Sequence, residues 1–412
     1  MKRPLRIALI ASCRYPISQP FAGGLEAHVW HLARALAEHG HQVALFAATG
    51  SDPALGCASL DVHHLEVSHA ARSDASMPAD SFMKDHHAYL SLMLRLAGPD
   101  ADRFDVIHNH SLHYLPVAMA PTLSTPMLTT VHTPPTPWLE SAIKAGGGRG
   151  TRFAAVSEHT AAAWAPVGGP FTVVPNGIDA RQWPLGPGGD RAVWFGRITP
   201  EKGPHLAIEA ARMAGRALTL AGPISDPVYF ADFIAPQLDD TVRYAGHLTQ
   251  QRLAGLVGAA SVALVTPTWD EPYGLVVAEA MSCGTPVVAF ARGGIPELVA
   301  PEAGCLVPAG DVAALAAAIP VAAGLPRGRV HEHAVRQCSA AAMLRAYLHL
   351  YRQMISARSD DTDDRLLHPP SRVRPSRPGR QHRLTPAPAG DGIDVSLRAA
   401  TTSVLRGRHT SS

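Results

Sequence analysis

Long apolar runs and paired cysteines are both missing from this sequence. No run reaches the roughly 18 apolar residues of a membrane-spanning helix, so no transmembrane segment is expected. The five cysteines stand at positions 13, 57, 283, 305 and 338, and none forms a Cys-x-x-Cys pair. An odd number of scattered cysteines argues against a disulfide scaffold or a thiolate zinc site. We therefore expect free thiols, a reducing compartment and a cytoplasmic location.

A strong excess of charge is also lacking. The 412 residues contain 36 Lys and Arg against 34 Asp and Glu, which leaves a net charge of +2. Such a balanced charge argues against a protein whose globular part binds polyanions. The apolar fraction of 46% is ordinary for globular proteins and excludes collagen, a coiled coil or a wholly disordered chain. The length predicts two to three domains.

The C-terminal segment 357–412 contains no Phe, Tyr, Trp, Lys or Glu. It carries ten Arg and six Asp, a difference of +4. Without aromatic side chains it cannot bury enough surface to offset its chain entropy, so we predict a disordered tail. The arginines could bind nucleic acid or an anionic membrane. A solvated tail is favoured because no aromatic residue alternates with them, so no nucleic-acid partner is expected.

Short apolar runs alternate with amphipathic stretches along the chain, which is typical of βαβ units in a parallel sheet. Residues 5–11 form a continuous apolar run that we interpret as a first buried strand and not as a signal peptide, since no small-residue cleavage site follows. Helical spacing of apolar residues follows at positions 25, 29, 32 and 36 and ends near Gly40. Further strands are predicted at 42–48, 104–108, 127–131, 152–156, 171–174, 191–195, 217–221, 242–244, 262–265 and 286–290. Further helices are predicted at 203–214, 250–258, 274–283, 295–299 and 339–355.

The repeated pattern predicts two doubly wound α/β domains that face each other. The predicted domains are 1–170 and 171–338, followed by a C-terminal helix at 339–356 and the tail at 357–412. Residues 184–190 read Pro-Leu-Gly-Pro-Gly-Gly-Asp and are the strongest candidate for an internal linker.

Two glycine-containing loops lie between a predicted strand and the helix that follows it. Gly23 and Gly24 precede the first helix, where backbone N–H groups can approach an anion. In the second half, Arg197 and Lys202 stand five residues apart on a loop that enters a helix. Lys occurs only four times in this chain, so a lysine here suggests a compact ammonium near a phosphate. A solvated surface loop is the alternative.

Two carboxylates surround the start of another predicted helix. Glu271 precedes the loop, Gly274 can leave the helix start open to a ligand, and Glu279 lies inside the apolar helix. The pair could act as the acid and nucleophile of a glycosidase. The helix start and the distant Arg and Lys instead suggest a phosphate. A carboxylate in an apolar helix is costly to bury without a partner, which argues against a merely solvated role for Glu279.

Histidines follow two predicted strands of the first half. His108 and His110 end one strand and His132 ends the next. The carboxyl ends of strands in open α/β sheets line the ligand crevice. Two neighbouring histidines could suggest a metal, but no carboxylate cluster accompanies them, and we expect no metal site.

Together these features resemble the retaining glycosyltransferase family 4, the group 1 glycosyltransferases with the GT-B fold. The resemblance is strongest over residues 171–308. It is carried there by the motifs at 174–179, 196–203, 221–223, 244–248, 271–279, 284–288 and 293–297. Weaker matches in the first half are Gly23-Gly24-x-Glu26, 105–108, His132 and 156–157. The resemblance implies two Rossmann-like domains across a cleft and a C-terminal helix that returns to the first domain.

The resemblance also implies roles for individual residues around a nucleotide-sugar donor. Arg197 and Lys202 would hold the diphosphate and stabilise the leaving charge, with no metal or other cofactor. Glu279 would accept hydrogen bonds from the ribose, and Glu271 from the donor sugar. The remaining implied donor contacts come from Gly23 and Gly24 on the phosphates, from the backbone of Gly274, Leu275 and Val276, and from His132 beside the sugar.

The implied activity is transfer of a sugar, expected to be a hexose, to an acceptor hydroxyl with retention of configuration. The acceptor could be a carbohydrate, a lipid or a small molecule, and peripheral membrane contact is possible. Two alternatives remain open. One is a GT-B enzyme of the nucleotide-sugar epimerase kind. The other is a catalytically inactive GT-B scaffold whose basic tail is the functional segment.

Overall fold

Two parallel β-sheets organise the protein. The computed structural model describes residues 3–59, 67–76 and 79–367. Within these ranges one sheet has seven strands and the other has six. The strands of the first sheet are β1 (Arg6–Ile10), β2 (Gln42–Ala47), β3 (Cys57–Ser59), β4 (Val106–Asn109), β5 (Met127–Val131), β6 (Thr151–Ala155) and β7 (Phe171–Val173). Those of the second are β8 (Ala192–Phe195), β9 (Leu218–Ala221), β10 (Val242–Tyr244), β11 (Val262–Val265), β12 (Val287–Phe290) and β13 (Gly304–Val307).

Helices connect the strands of both sheets. They are α1 (Gly24–Glu38), α2 (His69–Arg72), α3 (Asp80–Ala97), α4 (Tyr114–Met119), α5 (Pro137–Gly146), α6 (Glu158–Trp164), α7 (Pro204–Met213), α8 (Pro227–Tyr229), α9 (Gln250–Gly258), α10 (Leu275–Ser282), α11 (Val312–Ala323), α12 (Arg327–Gln337) and α13 (Ala340–Leu367). None of the helices in the described part of the chain has both the length and the apolar character needed to cross a bilayer. The predicted α/β architecture is confirmed, and β3 and β13 are strands that the sequence pattern did not reveal.

The strand order places a crevice at one edge of each sheet. The first sheet runs β3-β2-β1-β4-β5-β6-β7 and the second runs β10-β9-β8-β11-β12-β13. Strand addition therefore reverses direction between β1 and β4 and again between β8 and β11. Ligands of open α/β sheets bind at such switch points, outside the carboxyl ends of the strands. The loops that follow β1, β4, β8 and β11 are thus the expected ligand-binding loops.

The last helix, α13, crosses back from the second half of the chain to the first sheet. An isolated bridge between Ile178 and Ser339 marks the crossing. Beyond it, Tyr347, Tyr351 and Met354 are buried in the hydrophobic core that surrounds β1. The predicted return of the C-terminal helix to the first domain is confirmed. Both sheets belong to one compact unit, Met1–Asp364.

Two predicted boundaries differ from the structure. The helix predicted to end at residue 356 continues to Leu367, because residues 340–367 contain no proline or glycine that would break it. The first eleven residues of the predicted tail are therefore helical, and residues 368–412 lie outside the described ranges. The strand β7 pairs with β6, so the first sheet extends past the predicted domain boundary at residue 170.

The predicted linker at 184–190 is held tightly against the second domain. The guanidinium of Arg327 donates hydrogen bonds to the carbonyl oxygens of Gly186 at 3.3 Å and Gly258 at 2.8 Å. A Cβ added to Gly186 would lie 2.4 Å from the Cα of Gly258. The glycine thus permits close packing of two backbone segments and does not serve as a flexible joint.

Docking of α13 predicts a large effect of a single truncation. Met354 is 5% exposed in the first-domain core, whereas Met213 at the end of α7 is 57% exposed. We expect Met354→Ala to lower the free energy of unfolding by about 2–5 kcal/mol, because it leaves a cavity. Met213→Ala should change it by less than about 0.5 kcal/mol. Urea unfolding of both variants measures these changes. If both variants lower the free energy of unfolding by the same small amount, α13 does not contribute its buried face to the core.

Candidate active site

A cleft of about 1000 Å³ lies at the carboxyl ends of the strands. Its lining comes from the loops after β1, β5, β8, β9 and β11 and from the first turns of α1 and α10. It includes every residue that the sequence analysis selected for the site: Gly23, Gly24, His132, Arg197, Lys202, Glu271, Gly274, Leu275, Val276 and Glu279. Residues separated by up to 256 positions in the chain are thus brought to one place.

The paired glycines let the first loop approach the second domain closely. Gly23 precedes α1 in extended backbone. A Cβ added to Gly24 would lie 3.0 Å from Cδ1 of Leu275, and one added to Gly23 would lie 3.1 Å from Oε2 of Glu26. Glu26 also lines the cleft, and its burial raises the pKa of its carboxyl. A side chain at either glycine would therefore crowd the cleft where the two domains meet.

The loop after β8 is fixed against the loop after β11. A short 3₁₀ turn, Pro200–Lys202, ends at Gly203, which has a φ of +64°. A Cβ added to Gly203 would lie only 2.2 Å from the carbonyl oxygen of Thr266. This close approach brings Lys202 beside the segment that carries Glu271. Arg197, at the start of the same loop, is 3.4 Å from Glu201.

Lys202 and Glu271 form an ion pair in the cleft. The Nζ of Lys202 lies 2.6 Å from Oε2 of Glu271, and the two side chains are 21% and 15% exposed. The indole N–H of Trp269 donates to the same oxygen at 3.0 Å. Oε1 of Glu271 makes no hydrogen bond with the described residues, so it can accept one from a ligand hydroxyl. The sequence selected both charged residues but gave no sign of their direct contact.

Glu279 is an isolated carboxyl in the apolar helix α10. Its side chain makes no hydrogen bond or salt bridge with the described residues. Burial raises the pKa of Glu279 to about 8. Glu279 therefore carries the energetic cost of burial without a partner that the sequence analysis predicted. Its carboxyl faces the cleft, where a ligand can reach it.

The N-terminus of α10 opens toward the same cleft. Gly274 precedes it with a φ of +96°, a conformation that favours glycine. The amide of Val277 donates to the carbonyl oxygen of Gly274, which leaves the amides of Leu275 and Val276 as the unpaired donors of the first turn. Such amides, together with the helix dipole, bind anions well.

First-domain side chains hold the Glu271 loop in place. The carbonyl oxygen of Pro272 accepts hydrogen bonds from the hydroxyls of Ser157 at 2.5 Å and Thr160 at 3.0 Å. Glu297 of the second domain accepts hydrogen bonds from the amides of Glu158 and His159 at the start of α6. Sequence reasoning noted the motifs that contain Ser157 and Glu297 but did not assign them this positioning role.

A row of histidines runs inward from the cleft. Nε2 of His132 lies 3.0 Å from Nδ1 of His110, whose Nε2 lies 3.1 Å from Nδ1 of His108. His132 lines the cleft, but His108 and His110 are fully buried, so the expectation that they line the crevice is wrong. The reason is α13, because the ring of Tyr347 lies against both histidines and the hydroxyl of Tyr351 lies 2.7 Å from His108. Burial lowers the pKa of all three imidazoles well below its usual range.

Within the described residues, one group of side chains has an arrangement that could hold a metal ion. It consists of His28, His110 and His132, and one ring nitrogen of each lies within 4.8 Å of those of the other two. The sequence analysis weighed His108 with His110 for such a role. His28 lies on α1, and only the three-dimensional packing of α1 against the ends of β4 and β5 connects it to the other two.

An aromatic wall lines the first-domain side of the cleft. Tyr114 and Trp138 stack with ring centroids 5.5 Å apart, and Phe82 lies 5.9 Å from Trp138. Trp138 is 61% exposed. Large exposed aromatic faces in a cleft are typical of ligand-binding surfaces. The sequence analysis missed this wall because its residues come from three separate segments with no shared motif.

Comparison with known proteins agrees with this architecture. The model of Glycosyltransferase Family 4 matches residues 22–182, and that of Glycosyl transferases group 1 matches residues 189–322. Glycogen synthase of Mycobacterium tuberculosis is 30% identical over 352 residues, which cover 76% of this chain and 84% of that protein. The chain belongs to glycosyltransferase family 4. The resemblance inferred from the motifs is thereby confirmed.

Solved structures show that this glycosyltransferase has the GT-B fold. AviGT4, a glycosyltransferase involved in avilamycin A biosynthesis, aligns with a TM-score of 0.62 at 25% identity over 86% of this chain and 98% of that chain. Anabaena HepE, solved in complex with UDP-glucose, aligns with a TM-score of 0.65 at 18% identity over 86% of this chain and all of that chain. The glycosyltransferase therefore consists of two Rossmann-like domains on either side of a cleft.

The raised pKa of Glu279 predicts a pH-dependent stability difference. The folded enzyme keeps this proton up to about pH 8, whereas an unperturbed carboxyl releases it near 4.5. Because the folded state then binds more protons than the unfolded state, this group's contribution to stability falls as the pH rises between these values. We expect Glu279→Gln to stabilise the enzyme relative to the wild type more at about pH 8 than at about pH 5.

Urea unfolding at both pH values measures this difference. Glu332→Gln, at an exposed position on α12, is the matched control and should show no such trend. If Glu279→Gln changes the free energy of unfolding by the same amount at both pH values, the folded state does not hold this extra proton and the prediction is wrong.

Proposed function

We propose that this glycosyltransferase transfers a hexose from a nucleotide diphosphate sugar to an acceptor hydroxyl with retention of anomeric configuration. We further propose that side-chain cations, and not a divalent metal, neutralise the diphosphate. The observation that supports this most directly is the convergence of Arg197, Lys202 and the open N-terminus of α10 on one cleft.

The diphosphate fits the second-domain side of the cleft. Arg197 and Lys202 supply two positive charges, and the amides of Leu275 and Val276 supply hydrogen-bond donors. The two neighbouring carboxylates on the loop after β11 are already paired, Glu271 with Lys202 and Asp270 with Arg292, so these two do not form a free acidic pair for Mg²⁺. Charge that develops on the leaving diphosphate would be stabilised by groups that are fixed in advance.

The donor sugar and ribose fit the groups on either side of these cations. Oε1 of Glu271 can accept a hydrogen bond from a sugar hydroxyl, and His132 can reach the sugar from the first domain. We assign the ribose hydroxyls to Glu279, since its partnerless carboxyl lines the same cleft. UDP is one candidate nucleotide, since the similarly folded HepE is solved with UDP-glucose.

Retention is proposed to follow attack on the same face from which the diphosphate leaves. The Lys202 ammonium and the Trp269 indole stabilise negative charge on the Glu271 carboxylate, which lowers its nucleophilicity, and the proposal assigns it no covalent role. The leaving phosphate would instead accept the proton of the acceptor hydroxyl. In this arrangement Glu271 orients the sugar and takes no covalent part.

The acceptor fits the aromatic wall of the first domain. Tyr114 and Trp138 offer flat apolar faces, and the ion pair of Arg14 with Asp85, 2.6 Å apart, adds polar groups at the edge. Flat faces with a polar edge match a ring that has one apolar face and a rim of hydroxyls. We therefore propose a carbohydrate ring as the acceptor.

The donor and the stereochemistry are tested together. Nucleotide release is measured from UDP-, GDP-, ADP- and dTDP-sugars, with and without EDTA, and the product anomer is assigned by NMR. We expect slow hydrolysis of one donor that EDTA does not reduce at saturating donor concentration, and a transfer product with the donor's configuration. Inversion, loss of activity in EDTA, or epimerised donor without transfer would each refute part of the proposal.

Lys202 is expected to be needed for turnover. Lys202→Met should reduce the rate by about 10²–10³, because it removes a preorganised cation at the developing charge. Lys144→Met is the matched control, since Lys144 is an exposed lysine paired with Glu140 away from the cleft. Unchanged turnover in a folded Lys202→Met variant would remove this residue from the mechanism.

Trp138 is expected to act on the acceptor alone. Trp138→Ala should raise KM for a pyranoside acceptor on the order of tenfold, because a ring-stacking contact is lost, and leave donor hydrolysis unchanged. Trp138→Phe keeps an aromatic face and should retain most of the affinity. A wild-type KM in Trp138→Ala would place the acceptor elsewhere.

A further inference from the structure

Three imidazoles beside the cleft form a nearly equilateral triangle. The ring centroids of His28, His110 and His132 are 5.3, 5.0 and 5.2 Å apart in the three pairs. They come from α1, from the residue after β4 and from the residue after β5. Two of the three histidines are buried, and His132 borders the cleft.

The spacing matches three imidazole ligands on one tetrahedral ion. With a Zn²⁺–N bond of about 2.0–2.1 Å and a ring nitrogen about 1.1 Å from its own centroid, two such rings have centroids about 5.2 Å apart. All three observed distances lie within 0.2 Å of that value. Nδ1 of His110 and Nε2 of His132 are 3.0 Å apart, slightly less than the roughly 3.3 Å expected for two nitrogens on such an ion.

Two further features of these histidines suit a metal site. Nε2 of His28 is buried and has no hydrogen-bond partner among the described residues, and burying such a group without a partner is costly. His110 turns its other ring nitrogen, Nε2, to Nδ1 of His108 at 3.1 Å. Metal-binding histidines usually make such a hydrogen bond through the second nitrogen, which fixes the ring. His108 is in turn held by Thr130 and Tyr351.

We infer that His28, His110 and His132 form a binding site for Zn²⁺ or a similar borderline divalent cation, with a fourth position reached from the cleft. Imidazole ligands favour Zn²⁺, Cu²⁺, Ni²⁺ and Co²⁺ over Mg²⁺ and Ca²⁺. Three protein ligands with one open position are typical of accessible zinc sites. This site is distinct from the cations that are proposed to hold the diphosphate.

One consequence rests on the proposed function, whereas the site itself does not. His132 is the residue proposed to reach the donor sugar. Binding of Zn²⁺ and of the donor should therefore change each other's affinity by the same factor, as linkage requires.

Co²⁺ titration tests the site without any substrate. The full chain is first stripped with a chelator and then titrated with Co²⁺. We expect one equivalent to give the strong visible absorption of four-coordinate Co²⁺ and to be displaced by Zn²⁺. Zn²⁺ should also raise the thermal unfolding midpoint by mass action.

Variants assign the signal among the 22 histidines of the chain. His28→Gln and, separately, His132→Gln should abolish the absorption band. His39→Gln, at the exposed end of the same helix as His28, is the matched control and should keep it. His132 is partly exposed, so its substitution still tests the site if His28→Gln fails to fold.

Absence of the band in the wild-type chain would overturn the inference, as would a band that both variants retain. These readouts do not depend on turnover. If the chain binds Co²⁺ but releases no nucleotide from any donor, the metal site is supported and the proposed function is refuted. If it releases nucleotide but does not bind Co²⁺, the proposed function is supported and the metal site is refuted.

Discussion

The ion pair between Lys202 and Glu271 is the contact on which the geometry of the cleft depends. It joins the loop after β8 to the loop after β11, the two loops at the switch point of the second sheet. The approach is possible because Gly203 lies directly against the backbone of Thr266. The cation and the carboxylate orient each other, and the indole of Trp269 fixes the shared oxygen. One oxygen of Glu271 is left for a ligand.

The same loop also connects the two domains. Pro272, the neighbour of Glu271, is held by the hydroxyls of Ser157 and Thr160 from the first domain. Glu271 is therefore adjacent in sequence to a residue that the first domain holds by two hydrogen bonds. The C-terminal helix strengthens this connection, since α13 leaves the second domain and buries Tyr347 and Tyr351 in the first. The loop that carries Glu271 is thus attached to both domains.

Much of the fold and of the second-domain lining of the cleft could be predicted from the sequence, because both depend on local patterns. Buried strands are short apolar runs, and Arg197, Lys202, Gly274 and Glu279 stand in motifs on single loops or helices. The aromatic wall and His28 could not be predicted, since their members meet only through tertiary packing. The extent of α13 was misjudged because loss of apolar residues signals loss of burial, whereas a helix can continue as long as no breaker interrupts it, and residues 340–367 contain neither proline nor glycine.

The two walls of the cleft differ in charge, and this difference explains how one cleft can order two substrates. The second-domain wall presents the cations Arg197 and Lys202 and the open amides of α10, which suit a diphosphate. The first-domain wall presents imidazoles held neutral by burial and the stacked rings of Tyr114 and Trp138. Under the proposed function, an anionic donor is therefore attracted mainly to the second-domain wall. Besides the Arg14–Asp85 ion pair at its edge, the first-domain wall presents neutral rings that suit a stacking acceptor, so under the proposed function the reacting groups meet at the boundary between the two walls.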